Sequence, residues 1–326
     1  MLMDAPETVR QHRGELWQPR NYTKKFRGLV SLREALAHSI NSIAVSLADQ
    51  VGVDAIKSMA RRAGIRSKMA PGLAMALGAS EVSPLELVNT YASFVHPQAY
   101  EETIVIRRVD SRDGVEYPEV KTPSKRKELG PEVRYLVQSL LRSVVTDGTG
   151  KGLKSQNQPI GGKTGTTNAA RDAWFVGILP AVSIVSWVGF DDGQPLGKGE
   201  SGGRTAVPMV KAYLDGAETQ VQEWPDPPPG IVAHEVVADG RLAPDDVEDK
   251  RVEFFIEGTE PKEWAPSVDE IDEDGFHLEG LGRGSLPPKE ATGPAIGVPS
   301  VEVMPLPVDL KPLMPTQIEA TPDTNS

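Results

Sequence analysis

The run Gly161-Gly162-Lys163-Thr164-Gly165-Thr166-Thr167-Asn168, with Asp172-Ala173-Trp174-Phe175 close behind it, constrains this chain more than any other stretch. Its three glycines leave it too thin to fill a core, so as a strand it requires something else packed close against it. Alternation places Thr164 and Thr166 on one face and Lys163 on the other. An edge strand here would therefore offer hydroxyls, an ammonium and backbone N–H groups together, a set suited to an anionic or carbonyl-bearing ligand. Residues 172–179 and 182–190 have the apolar pattern of two further strands, joined by Pro180-Ala181. So short a turn demands antiparallel pairing, and a three-stranded meander is expected.

Other uses of the same residues compete with that reading. Gly162-Lys163-Thr164 ends like a phosphate-cradling loop, but that pattern needs a glycine five residues before Gly162, where Asn157 stands. Gly148-Thr149-Gly150-Lys151-Gly152 fails as well, because no hydroxyl residue follows the lysine. A glycine-rich surface hairpin without chemistry remains open from these residues alone.

Upstream, Ser31 and Glu34 form a capping box, so a helix starts at Leu32, and a second apolar run, Ile43, Ala44, Leu47 and Val51, ends at Gly52. Between them sits Ser39-Ile40-Asn41. In one unbroken helix Ser39 and Asn41 would lie about 200° apart, so facing one ligand requires a break there. A polar face on a single long helix fits the same residues. Further helices are expected at 54–62, at 85–95 behind a Ser83-Pro84 cap, at 133–144 and at 205–214, with a peripheral hairpin over 103–117. The first thirty residues lack periodicity and are expected to be irregular surface structure.

The chain has 326 residues, long enough for a substantial core, and its charge is uneven. Residues 1–215 sum to +6 and residues 216–326 to −17, which together give the net −11, and 16 of the 28 prolines lie in the second part. That contrast places a boundary near Gly216. Residues 217–265 are expected to be a proline-rich linker with short strand-like segments, and 266–326 an acidic, proline-rich disordered tail. The absence of cysteine excludes disulfides and thiolate metal sites, and five scattered histidines argue against zinc. No stretch has the form of a membrane helix or a signal peptide.

The order of these features resembles the transpeptidase domain of class A penicillin-binding proteins. The resemblance runs from about Asp4 to Leu214. It is carried by Trp17, Pro19, Asn21 and Tyr22, by Ser31-Leu32-Arg33-Glu34-Ala35-Leu36, by Ala76-Leu77-Gly78 and by Gly148-Thr149-Gly150. The stretch from Gly162 to Asn168, Arg171 to Gly177, Trp187 to Asp191 and Gly202-Gly203-Arg204-Thr205 complete it. It implies an α+β fold, an antiparallel sheet flanked by helices, here incomplete at its N-terminus.

The family's activity is cross-linking of peptidoglycan stem peptides through an acyl-enzyme on serine. By resemblance, Ser39 would relay protons near the leaving group and Asn41 would hydrogen-bond the substrate amide. Lys163, Thr164, Gly165, Thr166 and Thr167 would form the carboxylate-binding strand, with the Thr166 N–H as an oxyanion donor. The implied ligands are stem peptides ending in D-Ala-D-Ala and β-lactams, with no cofactor, no metal and no nucleic acid. The implied location is the periplasmic side of the inner membrane, with attachment only through an upstream anchor.

The family's Ser-x-x-Lys, which supplies nucleophile and base, stands upstream of the Ser-x-Asn corner in relatives, beyond two strands and a glycosyltransferase domain. Here one Ser-x-x-Lys occurs, Ser124 to Lys127, in a basic run expected to be a solvated loop rather than a dry catalytic site. The chain is therefore expected to be inactive alone as a transpeptidase. The alternative is a non-catalytic fragment that binds cell-wall peptide or a partner.

Overall fold

The computed structural model describes residues 1–10, 14–97, 103–106, 108–113, 123–125, 129–217 and 222–267. Within them the strands are β1 (Leu2–Asp4), β2 (Val9–Arg10), β3 (Leu16–Trp17), β4 (Gly28–Val30), β5 (Gly161–Thr166), β6 (Asp172–Ile178), β7 (Ser183–Gly189), β8 (Ile231–Val236) and β9 (Arg251–Ile256). The helices are α1 (Leu32–Ala37), α2 (Asn41–Val51), α3 (Val53–Ala63), α4 (Pro84–Val95), α5 (Pro131–Thr146) and α6 (Val207–Gly216).

Local chemistry sets several of these boundaries. Ser31 Oγ accepts from Glu34 N at 3.1 Å to start α1, and Ser83 Oγ accepts from Glu86 N at 3.1 Å to start α4 with Pro84 in its first turn. α3 stops at Gly64, which takes a left-handed φ of 116°.

The sheet is the expected antiparallel meander in the order β5-β6-β7, with Lys163 opposite Val176, Thr164 opposite Phe175 and Trp174 opposite Trp187. Phe175, Ala173 and Ile178 have no exposed surface. Phe175 packs with Val145, Leu153, Val207, Val210 and Leu214, so α6 and the end of α5 cover it. A ring of that size contributes about 1.5–3 kcal/mol by leaving water. α4 lies on β6 and β7, and α5 lies on β5.

The bareness of β5 has a packing cause. A Cβ on Gly161 would come within 2.9 Å of the Arg142 amide nitrogen in α5, and one on Gly162 within 2.5 Å of the Phe175 ring. These glycines admit a helix backbone and an aromatic ring, so the thinness of the strand is not itself a mark of a ligand.

Three regions differ from expectation. The first thirty residues form two short ribbons, β1 with β4 and β2 with β3, around a buried polar cluster. Asp4 accepts from Asn21 Nδ2 at 2.8 Å, from the Arg27 amide at 2.9 Å and from Ser42 Oγ, while Asn21 Oδ1 accepts from the Ser42 amide at 3.2 Å. Near α6 the turn begins earlier, with a wide π-type turn over Gly202–Ala206. The cause is close approach: a Cβ on Gly202 would lie 2.4 Å from Trp174 O and 2.6 Å from Gly165 O.

Within 217–265, expected to be a linker with short strand-like segments, two such segments are strands, β8 and β9, and they pair as an antiparallel hairpin in one compact unit with the preceding residues. The Phe254 ring meets Tyr135 of α5 edge-on at 5.2 Å. Glu253 receives Arg33 Nε of α1 at 2.8 and 2.9 Å, while Arg33 Nη1 donates to Ser139 O and Ser143 Oγ of α5 at 2.9 and 2.8 Å. Composition alone missed these anchors. Residues 103–106 and 108–109 are not strand, and residues 115–117, which were to complete that hairpin, lie outside the described residues, as does the tail beyond 267.

Candidate active site

The helix run breaks at Ser39. The Ser39 amide donates to Leu36 O at 3.2 Å and the Ile40 amide to Ala35 O at 2.9 Å, the paired bonds of a Schellman cap. That cap puts the residue just after the helix C-cap in the left-handed region, usually as glycine. Here Ser39 holds the position at φ 56°. α2 then starts at Asn41, so the corner presents Ser39 at its apex and Asn41 on the first turn beyond.

The corner meets β5 across 124 residues of sequence: Lys163 Nζ donates to Ser39 Oγ at 2.9 Å and to Thr164 O at 3.0 Å. Burial pulls the Lys163 ammonium down to about 8 from its ordinary value of 10.5. The residue as a whole keeps part of its surface. An ammonium carries three N–H donors and two are used here, so one remains for a ligand.

The other expected site residues are placed as follows. Thr164 Oγ1 lies 2.6 Å from Thr149 Oγ1, and Thr166 Oγ1 accepts from the Gly202 amide at 3.0 Å, which leaves its own O–H to donate. Gly165 passes beneath Gly202, where its carbonyl would touch any side chain on that residue. Thr167 Oγ1 donates to Asp172 Oδ2 at 3.0 Å and accepts from the Asp172 amide at 2.8 Å, so this hydroxyl secures the link from β5 to β6. Trp187 Nε1 holds the other Asp172 oxygen at 3.0 Å. Asn41 Nδ2 donates to Arg20 O at 2.8 Å. Ser124 is exposed, and Lys127 lies outside the described residues.

Thr149 is the site residue that sequence reasoning passed over. Its signal was present in Gly148-Thr149-Gly150, which the phosphate-loop test set aside and the resemblance quoted without a role. Two cavities among the described residues lie away from this site. One is an apolar pit near Leu179, Val182 and Tyr213; the other is lined by Arg10, Asp49, Asp54 and Lys57. The Ser39–Lys163 contact sits instead on an open face, beside the exposed hydroxyls of Thr149 and Thr166. Among the described residues no three His, Asp or Glu side chains converge as a metal site would require.

Ser39, Lys163, Thr149, Thr164 and Thr166 thus form one polar cluster where the helix corner meets the strand. Residues 4–215 match the penicillin-binding protein transpeptidase domain, and the chain belongs to that family. Among its relatives, penicillin-binding protein 1A of Aquifex aeolicus is 36% identical over 255 residues, covering 76% of this chain and 34% of the relative. The Neisseria gonorrhoeae protein of the same name is 32% identical over 222 residues, 66% of this chain and 28% of its own length. The chain thus spans about a third of the length of the curated relatives it matches. A crystal structure of penicillin-binding protein 1A from Haemophilus influenzae superposes with a TM-score of 0.71 at 27% identity, covering 81% of this chain and 45% of that one. PonA1 of Mycobacterium tuberculosis, solved in complex with penicillin V, has a TM-score of 0.60 at 23% identity over 69% of this chain and 66% of its own, and shares the fold. These are class A transpeptidase folds, as the sequence resemblance implied.

Proposed function

We propose that this chain carries the carboxylate-binding and proton-relay part of a serine D,D-transpeptidase, acting on peptidoglycan stem peptides that end in D-Ala-D-Ala. The observation that carries the proposal is the 2.9 Å bond from Lys163 Nζ to Ser39 Oγ, made by a lysine that burial holds near 8. At neutral pH such a group is mostly cationic, so it attracts a carboxylate. It is also close enough to neutrality to exchange a proton with the neighbouring hydroxyl.

In this reading the third N–H of Lys163 and the hydroxyls of Thr164 and Thr166 receive the terminal carboxylate, while Thr167, its hydroxyl bonded to Asp172, holds the end of the strand in place. The Asn41 side chain orients the peptide amide. Once a serine nucleophile from outside the described residues has attacked the carbonyl, Ser39 passes its proton to the departing D-alanine amine and regains one from Lys163 Nζ, so that the amide C–N bond breaks and an acyl-serine is left. The Thr166 N–H stabilises the oxyanion, a type of donor that lowers a barrier by about 3–4 kcal/mol. The work is done on the extracytoplasmic face of the membrane.

We assign no nucleophile among the described residues. Ser124 is exposed on its basic run, and Ser39 is committed to Lys163 as a relay. The chain by itself therefore binds and does not acylate. Incubation with labelled benzylpenicillin, then denaturation and intact-mass measurement, should show no covalent adduct, while calorimetry on the native chain should show reversible binding that Lys163→Met weakens severely. An adduct mapped to Ser39 or Ser124 would overturn the assignment of roles.

A further inference from the structure

We infer that Thr149 is a positioning residue that clamps the two halves of the site together, its amide on the end of α1 and its hydroxyl on Thr164. This deepens the proposed function and rests on it for the ligand, but not for the geometry. The Thr149 amide donates to Ala37 O at 3.1 Å, two residues before Ser39. The Thr149 hydroxyl lies 2.6 Å from that of Thr164, the neighbour of Lys163. One residue therefore touches both the element that supplies Ser39 and the strand that supplies Lys163.

The surroundings leave it little freedom. A Cβ on Gly148 would stand 2.1 Å from Ala37 O, so the turn is pressed onto the end of α1. The Gly150 amide donates to Val144 O at 2.8 Å and closes the turn against α5. From the far side, a Cβ on Gly203 would lie 2.8 Å from Thr149 O, so the approach to α6 backs the clamp. Glycines at these three points let three segments converge on one threonine.

The hydroxyl pair also has a definite donor count. Each threonine brings one O–H proton, and one of the two is consumed between them. The other remains on the exposed side of the pair and donates to a ligand oxygen, whichever residue bears it. Thr149 and Thr164 thus act on a carboxylate as a unit, and removing the Thr149 hydroxyl costs the unit its orientation as well as the link to α1.

The test compares Thr149→Val, which keeps shape and loses the hydroxyl, with Thr149→Ser, which keeps it. Two readouts are taken on the full chain: titration of Lys163 by NMR with labelled lysine, its signal assigned by its loss in Lys163→Met, and calorimetric affinity for benzylpenicillin. Thr149→Val should admit water, raise the Lys163 titration by about one unit and weaken binding roughly tenfold, the size of one hydrogen bond to a charged ligand. Thr149→Ser should restore both. If Thr149→Val leaves the Lys163 titration at the parent value, the clamp is refuted, even if binding falls, because Thr149 would then be only a ligand contact. If benzylpenicillin binds none of the proteins, the ligand reading fails and the lysine titration alone decides the role of Thr149. Should Thr149→Val lose its thermal transition, Thr164→Val removes the same bond from the strand side and is held to the same titration shift.

Discussion

Two polar clusters are anchored close together on the chain, one at Ser39 and the other at Ser42, and their bonding differs in kind. Asp4, Asn21 and Ser42 close on themselves. Asp4 is 1% exposed and accepts three bonds, and Asn21 uses its second N–H on Lys25 O at 3.0 Å. Ser39, Lys163, Thr149, Thr164 and Thr166 do not close. One Lys163 N–H, one proton of the hydroxyl pair and the Thr166 O–H are left facing outward. A structural cluster spends its donors internally because each unmade buried bond is costly, whereas a binding cluster keeps some donors back for a ligand.

The largest effect expected from that contrast is on stability. Asp4→Ala strips the acceptor from Asn21, Arg27 and Ser42 at once and should destabilise the chain by about 3–5 kcal/mol in urea unfolding, with the m-value unchanged. A loss under about 1 kcal/mol would show that water satisfies those groups and that the two clusters are not different in kind.

Lys163→Met should do the reverse, with affinity for benzylpenicillin falling about 100-fold while stability at pH 7 holds or improves. The sign follows from the titration. The folded state holds the lysine near 8 and the unfolded chain near 10.5, so the folding penalty on the charged form is complete below pH 8 and fades as pH rises to 10.5. Across that window the parent should gain about 2–3 kcal/mol relative to Lys163→Met, allowing for the part of the residue that meets water. Parallel stability curves for the two proteins would mean that Nζ is well hydrated.

A third cluster gives an intermediate case. Arg33 and Glu253 are paired with side chains 18% and 13% exposed, joining α1 to the hairpin of β8 and β9. Glu253→Gln keeps the shape and removes the charge, so a loss of about 1–2 kcal/mol is expected with ligand affinity unchanged. A drop in affinity as large as that of Lys163→Met would place the hairpin within the binding machinery rather than beneath it.

Sequence showed some of these features well and others poorly, for physical reasons. The meander was legible because two apolar runs flank a two-residue turn, and the helix starts were legible because Ser31 and Ser83 cap within three residues of a carboxylate. The hidden parts depend on contacts distant in sequence. Nothing local says that Asp4 and Asn21 are buried, since such residues are usually at the surface; after Gly216 the strand-like segments were legible, but not their pairing and packing, because the anchors, Arg33 and Tyr135, are remote. The Ser39 corner lay between these cases. Its residues also fitted an unbroken polar face, and the structure decides for a break through a left-handed residue whose neighbour Ala37 is held by Thr149.

That left-handed serine supplies the smallest and cleanest test of the contrast. A non-glycine residue at φ 56° carries roughly 1–2 kcal/mol of steric cost, part of which glycine would recover and part of which it would lose to the greater freedom of its unfolded chain. Ser39→Ala and Ser39→Gly both delete the hydroxyl that Lys163 donates to, so both should lose ligand affinity equally. They differ only in the backbone term. Ser39→Gly should therefore be more stable than Ser39→Ala by about 1 kcal/mol, a rise in Tm of a few degrees at most in a chain of this size. The equality of the affinities and the inequality of the stabilities belong together: they say that serine stands at a glycine position for its hydroxyl and not for the fold. If the two variants melt alike, the corner relaxes without strain and the choice of serine there needs no functional cause. If glycine binds ligand worse than alanine, the rigidity of the corner, and not only its hydroxyl, is part of the site.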